Sequence, residues 1–308
     1  MLAPAVLAAI WAGGWIWEVV ATGLALIAMF EWLSVCGVKL TNNTAILAAL
    51  SLPLAGALFH VTGSPIVAVA TPSAFAGMIR TDRRFGLHWL GFPIILGVLA
   101  ASFIRGDHLP DLVWLPIFLS AFCWPFLRKW RGPANALRFP PVPPVAADGL
   151  EYVGLGYAAL LVLRASPGGF GDVLFVMLII WSSDVGAYLA GRLIGGPKLW
   201  PAISPGKTWA GAIGGLLAAI VIAATVAANF PHDPATILRA ILFAALLSIT
   251  GQAGDLMESA LKRHFGRKDS GTLIPGHGGL LDRVDGLLAA APVAMLLRLT
   301  THGVHLWQ

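Results

Sequence analysis

The residues best suited to chemistry in this chain crowd into its last third. Asp255, Glu258, Ser259 and Lys262 recur at i, i+3, i+4 and i+7, so a helix would set all four on one face. Downstream, Asp282 and Asp285 stand three residues apart at the start of another apolar run, again sharing a face. Between them lies PGHGG, 275–279, whose glycines admit close approach of backbone to backbone or ligand. Five of the fifteen acidic residues and five of the twenty Lys and Arg residues fall between Asp255 and Asp285. Carboxylates converging from two helix ends suit a hard cation such as Mg2+, which takes few protein ligands and leaves positions open for phosphate oxygens. Lys262, Arg263, Lys268 and Arg283 would then hold the remaining phosphate charge. The plainer alternative is a solvated loop whose acids and bases pair with each other; the helical alignment of the acids beside a Gly-rich turn favours the metal site. His277 has neither a Cys nor a second His at ligand spacing, so by itself it reads as a structural hydrogen-bonder. Asp282, at a helix start, is expected to be hydrated.

Two further clusters precede this one. In WSSDVGAYLAGR, 181–192, Asp184 interrupts an apolar run; an intramembrane carboxylate is costly and faces protein or water, either in a functional site or paired with an Arg for packing. In KLWPAISPGKTWAGAIGG, 198–215, Gly206-Lys207-Thr208 resembles the end of a nucleotide-binding P-loop. That motif needs a glycine where this chain has Pro201, and no strand is expected before it, so the P-loop reading fails. What survives is Lys207 followed by a helix N-terminus, which together offer positive charge and free N–H groups to an anion. An ordinary snorkelling lysine is the equal alternative.

These clusters must be positioned by a very apolar chain. Hydrophobic residues make up 57% of it and charged residues 11%, against roughly 25% charged in soluble proteins. Runs of about 20 apolar residues recur, each long enough to cross a bilayer. The reading is an all-α polytopic membrane protein, with spans near 16–36, 45–61, 64–80, 86–104, 111–127, 149–164, 170–191, 208–229, 236–255 and 279–298. The run at 3–12 is too short to span, and 64–80 carries Pro65 and Pro72 and could be re-entrant, giving nine or ten transmembrane helices. Alternating the spans puts sixteen of the twenty basic residues on one side, from Lys39 through Arg283, leaving Arg105, Arg164, Arg239 and Arg298 on the other. The basic side is cytoplasmic by the positive-inside rule, and the catalytic motifs of the C-terminal half lie at that surface. The same rule accounts for the net charge of +5 without nucleic acid. No basic residue precedes Lys39, so no cleavable signal peptide is expected. Cys36 and Cys123 define neither a disulfide framework nor a thiolate metal site. Organisation follows: 1–127 as a transmembrane scaffold, 128–149 as a basic, Pro-rich connector, and 150–308 as the catalytic region. All the polar motifs fall after the connector.

At these residues the chain resembles a known family. Ser259, Leu261, Lys262, Arg263, Lys268, Asp269, Gly271, Ile274, Pro275, His277, Gly278, Gly279, Leu280, Asp282, Arg283, Val284 and Asp285 match the signature of the phosphatidate cytidylyltransferases, or CDP-diacylglycerol synthases. The upstream GDLMES (with Asp255 and Glu258), ISPGKTWAGAIGG (with Ser204, Lys207 and Thr208) and DVGAYLAGR (opening on Asp184) are similar to family motifs as well. The resemblance implies a multi-span enzyme of the cell inner membrane that joins CTP to phosphatidic acid, giving CDP-diacylglycerol and pyrophosphate with Mg2+. It implies Asp255, Asp282 and Asp285 as the metal site, K+ as a second cation, and a homodimer. The remaining motif residues are then assigned to catalysis (Lys262, Arg263, Lys268) or to substrate. Val185 stands where relatives often carry Ser or Thr, and Ala210 where many carry Glu or Gln.

The chemistry agrees with the motif. Phosphatidic acid already bears an anionic phosphate, so no Ser, Cys or His nucleophile needs activation; charge neutralisation and positioning suffice. Three rivals remain: a CTP-dependent lipid kinase, a CDP-alcohol phosphotransferase, whose aspartate run is absent, and an ion-coupled transporter, whose paired halves are not visible.

Overall fold

The computed structural model describes residues 2–38, 43–79, 144–230, 234–273, 278–300 and 305–307. The expected spans at 86–104 and 111–127, most of the 128–149 connector, and His277 lie outside the described residues. Nine helices and one two-stranded ribbon make up the rest. In chain order they are α1 (Leu2–Ala12), α2 (Gly14–Val35), α3 (Asn43–Thr62), α4 (Pro65–Ile79), α5 (Pro144–Ala165), α6 (Gly169–Leu193), β1 (Lys198–Trp200), β2 (Ser204–Thr208), α7 (Trp209–Ala228), α8 (Pro234–His264) and α9 (Leu281–Thr300). Among the described residues, α2, α5, α6, α7 and α8 contain helices long and apolar enough to cross a membrane.

Two boundaries differ from expectation. Residues 144–149 are not part of an extended connector, because α5 already begins at Pro144, and proline at a first helical turn forfeits no hydrogen bond. Helix α4 runs unbroken through Pro72. Its ring packs where Gly154 of α5 carries no side chain. Helix α8 continues past residue 255 to His264, so the polar face Asp255–Lys262 is helical throughout.

Helix α5 is the hub, buried over nearly its whole length. Trp32 of α2 donates its indole N–H to the Val145 carbonyl at 2.9 Å, and its ring lies 5.6 Å from that of Tyr152. On the other side, α9 approaches Gly156 closely enough that a methyl group there would meet the Leu288 backbone at 2.8 Å. Helices α6 and α7 pack through small residues, with Gly186 facing Gly214 and Ala218. Close backbone approach of this kind is how apolar helices associate where lipid is as apolar as leucine. Along α7, Trp209, Ile213, Leu217 and Val221 are exposed at four-residue intervals, as a lipid-facing stripe would be.

Where α6 begins and α9 ends, a buried ion pair fastens the two helices. Arg298 donates Nε–H to Asp172 at 2.7 Å and an Nη2 hydrogen to the Pro167 carbonyl at 3.0 Å. The second Asp172 oxygen accepts the Leu306 N–H at 3.0 Å.

Candidate active site

The residues singled out from the sequence gather where α8 ends and α9 begins. Along α8, Ser259 donates to Asp255 Oδ1 at 3.4 Å, and Lys262 meets Glu258 at 2.5 Å across one turn. Helix α8 then stops at Gly266, whose positive φ of 67° permits the left-handed turn that returns the Arg267 N–H to the Lys262 carbonyl. After the turn the chain comes back to α9, and Asp282 in its first turn also binds Lys262, at 2.6 Å. Lys262 therefore bridges two acids from two helices, with Glu258 fully buried.

Asp282 is less wet than expected. Its side chain is only 12% exposed, and it accepts the Ser270 N–H at 3.0 Å and the Gly279 N–H at 2.8 Å besides the Lys262 hydrogen bond. Gly278, with φ 81°, makes the turn into this contact, and a side chain there would meet Asp282 at 2.7 Å. Asp285, one turn on, accepts its neighbour Gly286 N–H at 2.8 Å, while its own carbonyl receives the Tyr152 hydroxyl at 2.5 Å.

Residues 198–208 contribute from another direction. They form an antiparallel ribbon pairing Lys198 with Thr208 and Trp200 with Ser204, so a strand does precede Gly206-Lys207-Thr208 and a second contains it, contrary to expectation. Short strands with prolines and a glycine carry little periodic signal. Lys207 reaches Asp255 at 2.5 Å, joining β2 to α8. Arg263 braces the same ribbon by donating to the Ile203 carbonyl at 3.2 Å. The start of α7 offers less to an anion than its sequence promised. The Gly211 N–H is taken by the Thr208 hydroxyl at 3.0 Å as a helix cap, and the Trp209 N–H by the Pro197 carbonyl at 3.1 Å. Thr208 is buried, so its hydroxyl serves the helix. Lys268, Asp269 and Arg283 are exposed beside the α8–α9 turn. Asp184 is exposed on α6, within the electric fields of Asp255 and Lys207.

Three features escape a reading confined to the C-terminal motifs. Glu31, from the helices expected to be mere scaffold, accepts the N–H groups of Leu280 and Leu281 and the Ser270 hydroxyl. A lone acid in the apolar run AMFEWLSV is the same signal that marks Asp184, and it could have found Glu31. Tyr152 gives no such signal. Behind the acids, Ser183 and Ser248 share a hydrogen bond of 2.8 Å, and Gln252 donates to the Ala212 carbonyl at 3.2 Å, tying α6, α7 and α8 together one turn from Asp255.

Oxygen donors for a hard cation are in surplus here. Asp285 lies in the fields of Asp255, Glu258 and Asp184, and Glu258 Oε1 is buried without a hydrogen bond among the described residues. Among those residues no three His, Cys, Asp or Glu side chains stand close enough to ligate one ion. Mg2+ needs no such cage, since one or two carboxylates plus phosphate oxygens and water complete its shell. The carboxylates such an ion would draw on are Asp255, paired here with Lys207, and Asp285; Asp282 already accepts from Lys262 and two backbone N–H groups.

Acids and lysines thus gather at one end of an apolar helical bundle. Residues 1–300 match the cytidylyltransferase family, and the chain belongs to it. Its relatives narrow the class. The phosphatidate cytidylyltransferase of Brucella suis biovar 1 is 51% identical over 155 residues, covering 49% of this chain and 55% of that protein. The phosphatidate cytidylyltransferase of Staphylococcus haemolyticus is 44% identical over 148 residues, covering 48% of this chain and 56% of that protein. These alignments span about half the length of the curated relatives.

Proposed function

We propose that this protein transfers the cytidylyl group of CTP to phosphatidic acid, releasing pyrophosphate and forming CDP-diacylglycerol for phospholipid synthesis. The observation that carries the reading is the Lys207–Asp255 pair, which sets a cation from the ribbon against an acid of α8. In the reaction a phosphate oxygen of phosphatidic acid attacks the α-phosphorus of CTP. The new O–P bond forms as the α–β bridging bond breaks, and its electron pair leaves with pyrophosphate. Two polyanions must meet, so Lys207 turns from Asp255 to the triphosphate, while exposed Lys268 and Arg283 gather phosphate charge at the rim. Lys262, held between Glu258 and Asp282, fixes the α8–α9 junction. Asp255 and Asp285 would hold Mg2+, which supplies charge neutralisation of the phosphates and orientation of the leaving group.

The same reading comprises nine or ten spans in the cell inner membrane, with the 192–207 and 256–278 segments cytoplasmic where CTP is found. It also comprises a homodimer and a K+ requirement beside Mg2+. The deciding experiment incubates purified protein with phosphatidic acid, Mg2+ and CTP labelled at either the α- or the γ-phosphorus. Label from the α position should enter the lipid, with pyrophosphate released. Lipid label from the γ position would make the protein a lipid kinase instead, and loss of activity on replacing K+ by Na+ checks the second cation.

A further inference from the structure

The first amides of α9 are received by a carboxylate from the far end of the sequence. Glu31, 8% exposed in the last turns of α2, accepts the Leu280 N–H on Oε1 at 3.0 Å and the Leu281 N–H on Oε2 at 2.7 Å. It also accepts the Ser270 hydroxyl on Oε2 at 3.1 Å. Among the described residues no Lys or Arg pairs with it, so these three donors and the positive end of the α9 dipole carry its compensation. The fit is close on both sides. A methyl group on Gly271 would come within 2.6 Å of Oε1, and one on Gly279 within 2.5 Å of Oε2.

Ser270 links this carboxylate to the site. Its hydroxyl goes to Glu31 while its N–H goes to both oxygens of Asp282, at 3.1 and 3.0 Å. Glu31 thus fastens Ser270, at the start of the segment leading into α9, and Leu280 and Leu281, at its end. Asp282 and Asp285 follow within five residues of that anchor. Helix α2 has other holds on the bundle that do not involve Glu31, namely Trp32 on the Val145 carbonyl and Thr22 on the Tyr157 hydroxyl at 2.6 Å. Its docking therefore does not depend on the carboxylate, whereas the approach to α9 does.

We propose that Glu31 is a positioning residue, a clasp from the N-terminal helices that sets the start of α9, and with it Asp282 and Asp285, against α8. The kinetic part of this proposal rests on the cytidylyl-transfer reading. Buried hydrogen bonds to a charged acceptor are among the strongest a protein makes. A Gln at this position keeps the shape but offers one acceptor oxygen and turns an NH2 group towards donors.

Purified full-length Glu31→Gln and Glu31→Ala are compared with the parent by amide hydrogen exchange, thermal melting and Mg2+-dependent CDP-lipid synthesis. In Glu31→Gln the amides of Ser270, Leu280 and Leu281 should exchange about tenfold faster or more, with α5 and α6 unchanged. Turnover should fall about tenfold or more and half-maximal Mg2+ should rise, while KM for phosphatidic acid holds. Ser270→Ala, which removes one donor, should give the same pattern at smaller size. Folded Glu31→Gln with parental exchange at these amides and parental Mg2+ dependence overturns the proposal. So does a loss of turnover accompanied by equally faster exchange in every helix, because that is plain destabilisation. Should Glu31→Ala not fold, Glu31→Gln and Ser270→Ala still decide. Should the parent make no CDP-lipid, the activity reading falls, and local exchange together with calorimetric Mg2+ binding decides on Glu31.

Discussion

Two groups of buried charges sit at opposite ends of α6 and α9, and they are built to different rules. At one end Asp172 and Arg298 are matched: one acid, one base, with the second carboxylate oxygen taken by Leu306 and a further guanidinium hydrogen by Pro167. His305 Nδ1 lies 3.6 Å from the same carboxylate. At the other end the buried and half-buried groups are four acids, Asp255, Glu258, Asp282 and Asp285, against two lysines, Lys207 and Lys262, and Glu258 Oε1 is unsatisfied among the described residues. Balanced charge holds helices together. Unbalanced charge is tolerated where a substrate or ion completes it, and the same two helices carry both kinds.

Breaking the balanced end should have the largest effect, and only on stability. Arg298→Leu strands Asp172 in an apolar setting and should cost about 3–5 kcal/mol, read from unfolding in detergent, while the specific activity of the folded fraction holds. A variant that melts like the parent would show that the pair is not the lock described. At the unbalanced end the signs reverse. Asp285→Asn should lower kcat by about a hundredfold or more and leave melting unchanged or raised, since it removes one of several crowded negative charges. Near-normal turnover in that variant would remove Asp285 from the chemistry.

Smaller effects sharpen the contrast. Lys207→Met should raise the apparent KM for CTP about tenfold or more without changing that for phosphatidic acid. Equal shifts for both substrates would mean that Lys207 serves the ribbon and not the nucleotide. Thr208→Ala removes a helix cap and should cost about 1 kcal/mol of stability with CTP use unchanged. A selective loss of CTP affinity there would return the hydroxyl to the substrate.

Local patterns in the sequence translated well into structure. The i, i+3, i+4, i+7 spacing of Asp255 to Lys262 puts Ser259 on Asp255 and Glu258 on Lys262 because a helix imposes that geometry on any residues so spaced. Among the described residues the apolar runs likewise became helices within about five residues of their expected ends, α8 excepted. What stayed hidden was set by distance along the chain. Glu31 meets Leu281 across 250 positions, and Tyr152 meets Asp285 across 133, pairings that no local period records. Thr208 and Asp282 were legible as polar residues of the motifs, but not as a buried helix cap and an acceptor of two backbone N–H groups. Those roles depend on backbone that folds back on itself.

The length of α8 has a consequence of its own. Its 31 residues extend about 46 Å, and a hydrocarbon core takes up roughly 30 Å of that. The surplus of about three turns matches the stretch from Asp255 to His264, so the helix is long enough to carry its acids beyond an apolar layer of that thickness. It also fixes their bearing. One residue inserted below Asp255 would swing that whole face through about 100° while lifting it only about 1.5 Å, turning Asp255 away from Lys207 and Lys262 away from Asp282. Substitutions along the lipid-facing side of α8 leave this phase intact, whereas a single insertion or deletion does not, so the helix should tolerate change in composition far better than change in count.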